Sequence, residues 1–190
     1  MMVKGAIERQ ILPSLWGRIA LLVSLLLVVL PHLLRMPVML SLFAFAMIIW
    51  RIFQEMRGWA LPNRLLRTLL TLLGFALVFT SYHTVMGREP GVALLTVMLS
   101  LKLIEIRTLR DAMVTLFIGY FLVASAFLFS QSILIGAYLV GVVLLLTTGL
   151  IVLNHPSANM HSIKSHMKLA GIMLLQGMPL MLLLFIIFPR

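Results

Sequence analysis

Seven runs of mostly apolar residues follow one another along the chain, separated by short polar or basic breaks. A helix needs about 20 mostly apolar residues to cross the roughly 30 Å hydrocarbon core of a bilayer. The runs have that scale: Leu15–Leu34, Pro37–Phe53, Leu65–Thr84, Gly91–Ile106, Leu109–Phe129, Ile133–Leu153 and Lys168–Phe188. Backbone groups in lipid must bond within their own segment or within a closed barrel. Barrel strands alternate apolar and polar residues over about ten positions. These runs are continuously apolar, so the expectation is an all-α, polytopic transmembrane bundle. Ser130-Gln131-Ser132 marks a break between two runs, and Pro37 suits the first turn of a helix.

Composition agrees. The chain is 62% hydrophobic and 11% charged, against about 25% charged in an ordinary soluble domain. In water such a chain would expose large apolar patches. The net charge of +10 does not point to nucleic acid, because the bases lie in short clusters between apolar runs and form no phosphate-tracking surface. Cysteine is absent, which excludes disulfides, thiolate nucleophiles and cysteine-based metal sites. Lys4 and Arg9 followed by apolar Ile19–Leu30 imitate a signal peptide. That run ends in Pro31-His32-Leu33-Leu34-Arg35 without a small-x-small cleavage pattern, so it reads as a retained first helix.

Alternating loops give the orientation. With the N-terminus inside, Lys4, Arg9, Arg18, Arg51, Arg57, Arg64, Arg67, Lys102, Arg107, Arg110, Lys164 and Lys168 fall inside, whereas Arg35, Arg88 and Arg190 fall outside. Twelve against three predicts about seven spans, N-terminus in and C-terminus out. Five spans remain if the two shortest runs form a re-entrant pair. Trp16, Trp50 and Trp59 are expected at the inner interface, and Tyr82 and Tyr138 near the outer one. Residues 1–190 read as one multi-pass domain, without repeats or a long linker. Ala137 and Gly141 form a small-xxx-small pair suited to close helix packing.

The fourth run carries the most chemistry. Only twelve uncharged residues separate Glu89 from Lys102, roughly 18 Å of helix. The helix must therefore continue through Lys102 and Glu105, which are three apart and can meet on one face. An ionisable pair inside a membrane is a functional-site candidate. The plainer reading is a hinge and topology anchor: Lys102 snorkels, Thr108 and Asp111 form a capping box for the fifth helix, and Arg107 and Arg110 are positive-inside charges. In Met86-Gly87-Arg88-Glu89-Pro90-Gly91, Gly87 permits positive φ and Pro90-Gly91 restarts a helix.

Other sites are not expected. His155, His161 and His166, in the last inside loop, are spaced six and five apart and do not stack on one helical face. His83 belongs to the outer interface. The acidic residues Glu8, Glu55, Glu89, Glu105 and Asp111 all fall near membrane faces, which argues against a proton relay. No phosphate loop, zinc motif or serine elbow occurs, and neither a cofactor nor a metal is implied.

Gly87-Arg88-Glu89-Pro90-Gly91, Leu101-Lys102-Leu103-Ile104-Glu105-Ile106-Arg107, Arg110-Asp111, Phe127-Leu128-Phe129-Ser130-Gln131-Ser132 and the terminal Phe188-Pro189-Arg190 occur in order along the chain. This pattern resembles the N-terminal membrane domain of bacterial TgpA-type transmembrane transglutaminases. The resemblance implies an inner-membrane, multi-pass anchor with its C-terminus in the periplasm, followed by a periplasmic transglutaminase-like domain with a Cys-His-Asp triad, and usually one more span. The chain stops where that domain is expected and has no cysteine, so no catalytic residue carries over. The resemblance marks Lys102, Glu105, Arg107, Arg110, Asp111, Gln131, Gly87 and Gly91 as its motif positions. The expected partners are membrane lipid and a transglutaminase-like domain in the same or a partner chain. The alternative function is a small channel or transporter-like bundle with a polar path near Lys102, Glu105 and Gln131.

Overall fold

The computed structural model describes residues 15–57, 62–130, 132–154 and 160–187. Among them it places seven helices and no strand: α1 Leu15–Leu33, α2 Val38–Arg57, α3 Arg64–Tyr82, α4 Arg88–Glu105, α5 Leu109–Ala126, α6 Ile133–Leu153 and α7 Met160–Ile187. Short connections turn each helix antiparallel to the one before.

Helix boundaries follow local chemistry. Pro37 precedes α2, and its carbonyl accepts from the N–H groups of Leu40 and Ser41. His83, one residue past α3, adopts the left-handed conformation at φ 55° and returns its N–H to the Phe79 carbonyl at 2.8 Å. Helix α4 begins at Arg88, three residues before the expected start at Gly91. Pro90 causes no break there, because first-turn N–H groups have no partner inside the helix. Thr108 and Asp111 form the capping box of α5. That helix ends at Ala126, and two tight turns follow: Leu128 donates to Ser125 and Phe129 to Ala126.

Two expectations are corrected. Helix α7 begins at Met160, eight residues before Lys168, so His161 and His166 lie on a helix rather than in a loop. The polar first turns extend the helix beyond its apolar stretch, which hydropathy alone had delimited. The Ala137–Gly141 pair does not mediate packing within the bundle: a β-carbon on Gly141 would meet nothing within 4 Å. Close approach occurs instead at Gly74, whose β-carbon would lie 2.7 Å from Val97, and at Gly119, where Leu25 and Leu146 would lie 3.1 and 3.4 Å away. Small residues at such crossings let helices approach where lipid supplies no hydrophobic drive.

Among the described residues the core has two clusters. Leu25, Leu99, Leu116, Leu122 and Leu146 join α1, α4, α5 and α6. Leu40, Val78, Ala93 and Val97 join α2, α3 and α4. Helix α4 belongs to both and is the most enclosed. Buried hydroxyls along it bond their own helix: Thr96 donates to Val92 and Ser100 to Thr96. Helix α7 packs chiefly on α6, and most of its apolar surface is exposed.

Among the described residues, five helices are long and apolar enough to cross a membrane: α2, α3, α5, α6 and residues Ile163–Leu184 of α7. The described apolar stretch of α1, Gly17–Leu33, is shorter. Helix α4 carries Arg88, Glu89, Lys102 and Glu105, and its 18 residues amount to roughly 27 Å. Its two ends nevertheless meet opposite ends of the bundle.

Candidate functional site

Antiparallel order gathers charge at one end, hereafter the basic end. There, the close of α2 meets the start of α1, and the close of α4 meets the starts of α3 and α5. Lys102 Nζ lies 3.3 Å from Glu105 Oε2 and 3.3 Å from Asp111 Oδ1. Arg67 approaches the other oxygen of Glu105 at 3.6 Å. Asp111 also accepts from the N–H groups of Arg107 and Thr108 and from the Thr108 hydroxyl, while its own N–H donates to Thr108 Oγ1. The expected Lys102–Glu105 pair therefore forms, and the capping box is wired to it.

Arg107 and Arg110 are exposed beside this node. Two cations and two carboxylates thus tie the ends of α3, α4 and α5 together. Arg67 was not singled out by its sequence. Its position in the first turn of α3 became informative only once α3 packed on α4.

A second node lies between α1 and α2. Glu55 bridges Arg18 at 2.7 Å and Arg51 at 3.0 Å. Arg51 is 6% exposed and Gln54 4%. In the sequence, Arg18 and Arg51 read only as loop charges. The i,i+4 spacing of Arg51 and Glu55 was the available signal.

The opposite end brings two motif segments together. Gly87, at φ 135°, precedes α4. Arg88 then donates to the Leu128 carbonyl at 2.8 Å. Its guanidinium lies 4.7 Å from the centre of the Phe129 ring, and that of Arg35 lies 5.8 Å away. Beside them, His32, Arg35, Tyr82, Glu89 and Phe129 line a cavity of about 260 Å³ together with Met36 and Val92. His32 is buried, and its Nε2 is 3.1 Å from the Leu122 carbonyl. Gly91 is helical and faces open space. Gln131 lies outside the described residues, as do Trp59, His155 and the side chains of Trp16 and His161.

The site residues thus divide between two ends. Lys102, Glu105, Arg107, Arg110 and Asp111 occupy the basic end, and Gly87 and Gly91 the other. Among the described residues, no group of three His, Asp or Glu side chains is placed to hold a metal.

Comparison with known proteins gives the context. The model of the TgpA N-terminal domain matches residues 20–190. A protein-glutamine gamma-glutamyltransferase of Pseudomonas aeruginosa (strain PAO1) is 38% identical over 172 residues, covering 90% of this chain and 25% of that protein. The chain thus spans a quarter of its relative's length. No solved structure matches it. With the domain model matched from its second turn onward, the chain belongs to the TgpA N-terminal domain family.

Proposed function

We propose that the chain is the inner-membrane anchor of a transglutaminase-like protein, crossing seven times with the basic end in the cytoplasm and the C-terminal end of α7 in the periplasm. The observation that carries this reading is the match of residues 20–190 to the N-terminal domain of a family whose relative, a gamma-glutamyltransferase, is matched over only 25% of its length. In this reading a transglutaminase-like domain follows α7 in the same chain and meets its substrates outside the membrane.

The charge distribution supports the orientation. Arg18, Arg51, Arg57, Arg64, Arg67, Lys102, Arg107 and Arg110 collect at the basic end, while Arg35 and Arg88 flank Phe129 at the other. Helix α4 supports seven spans rather than five. Arg88 contacts Leu128 just past the end of α5, and Lys102 contacts Asp111 at its beginning, so α4 runs alongside α5 from end to end. The proposed role of Lys102, Glu105 and Asp111 is to fasten the cytoplasmic ends of three helices. The buried hydroxyls of Thr96, Ser100 and Thr115 each bond a carbonyl of their own helix, which favours an anchor over a polar conduction path.

The test is a transglutaminase-like domain fused after Arg190 and expressed in a bacterium. External protease should remove it from spheroplasts while the bundle remains membrane-bound. Protection until the membrane is lysed would overturn the proposed orientation.

A further inference from the structure

A lateral groove of about 410 Å³ separates α1 from α2 near the basic end. Its volume falls in the roughly 300–1,000 Å³ range of small-molecule sites. Ile19 and Val23 line one wall, Ile48 and Ile52 the other, and Leu103 of α4 closes the back. The α1 wall reaches from Ile19 to Leu26, roughly 10 Å of helix. The rim is open: Val23 is 47% exposed and Ile52 41%. In a bilayer this opening faces hydrocarbon.

The same groove carries Arg51 and Glu55 at its polar end. Among the described residues, the two guanidiniums of Arg18 and Arg51 share the single carboxylate of Glu55, which leaves one positive charge in excess. Arg51 is buried, and among the described residues its Nε has no hydrogen-bond partner. A buried donor without an acceptor carries its full desolvation penalty. A guanidinium also matches phosphate oxygens better than any other side chain does. A hydrocarbon slot ending at an under-neutralised arginine pair has the pattern of an amphiphile with an anionic head.

We infer that this groove binds one anionic phospholipid, an acyl chain lying between α1 and α2 and the phosphate meeting Arg51 and Arg18. Glu55 repels the phosphate but holds both guanidiniums in place, and the excess charge is what the lipid neutralises. A zwitterionic lipid brings a compensating cation and gains less. The inference needs only that the helices sit in a bilayer, so it stands apart from the orientation and from any downstream domain.

The experiment uses the full chain in nanodiscs containing equal parts of phosphatidylglycerol and phosphatidylcholine, released into native mass spectrometry. Retained phosphatidylglycerol should exceed phosphatidylcholine by about tenfold or more, the equivalent of one charge-assisted contact. Val23→Trp, at an exposed position, should fill the slot and abolish retention while helical content stays unchanged. Arg51→Met should remove the preference; Arg18→Gln tests the same point at a more exposed position if Arg51→Met does not fold. Equal retention of the two lipids would overturn the inference, as would retention unaffected by Val23→Trp. So would a dimer that carries no lipid and is dissolved by Val23→Trp, since the groove would then seat a second copy.

Discussion

The hydroxyl of Tyr138 donates to the carbonyl of Leu27 at 2.6 Å, and that carbonyl is the one Pro31 leaves without its helical donor. Proline lacks an N–H, so residue 31 cannot bond the carbonyl four positions back. Helix α1 continues through Pro31 nonetheless, because α6 supplies the missing hydrogen from 111 residues away. Tyr138→Phe should cost about 0.5–1.5 kcal/mol, the net worth of a part-buried hydrogen bond. Adding Pro31→Ala restores a backbone donor and should recover most of the loss. Denaturant unfolding in detergent micelles measures the cycle; strictly additive effects would break the link between the two residues.

Gly87 and Gly91 share one short motif but differ in backbone. Gly87 has φ 135° and ψ 169°, a region essentially restricted to glycine, so Gly87→Ala should destabilise by about 1–3 kcal/mol. Gly91 is helical, and an added β-carbon meets nothing within 4 Å. Gly91→Ala should be neutral or stabilise by up to about 1 kcal/mol. Melting temperatures of the two variants in the same detergent should therefore move in opposite directions or split clearly.

Helix crossings give a similar contrast. Gly119 lies between Leu25 and Leu146 at distances a β-branched side chain cannot fit without displacing both. Gly119→Val should cost about 1–3 kcal/mol by overpacking. Gly141→Val, on an open face, should change stability by less than about 1 kcal/mol. Thermal unfolding followed by circular dichroism compares them directly.

The Lys102 node should behave as a partly solvated cluster. Its side chains retain over a quarter of their exposure, so each ion pair is discounted to roughly 0.2–1 kcal/mol. Asp111→Ala also removes a capping box and should cost about 1–2 kcal/mol. Lys102→Ala should cost less than about 1 kcal/mol. Membrane abundance and unfolding midpoints of the single and double variants would show this order; a larger loss for Lys102→Ala would give that residue a role beyond fastening helix ends.

The local features of this fold were legible in the sequence. Apolar runs located all seven helices, Thr108 and Asp111 announced their box, and Gly87 announced its positive φ. Each depends on neighbours within a few positions. The remaining features depend on which helix faces which. Tyr138 completes Leu27, Arg67 joins Glu105, and Gly119 rather than Gly141 sits at a crossing; none of these pairings has a local sequence signal. The start of α7 escaped for another reason, since its polar first turns continue the helix past the apolar stretch that marked the span.

The absence of cysteine makes the central claim directly measurable. Met86, exposed beside Gly87, and Arg110, exposed at the start of α5, mark opposite ends of the bundle. With Met86→Cys and Arg110→Cys as separate single-cysteine chains, a membrane-impermeant maleimide applied to spheroplasts should label the first at once and the second only after permeabilisation. Labelling of the Arg110→Cys chain in intact spheroplasts, with the Met86→Cys chain protected, would contradict the account by inverting the anchor.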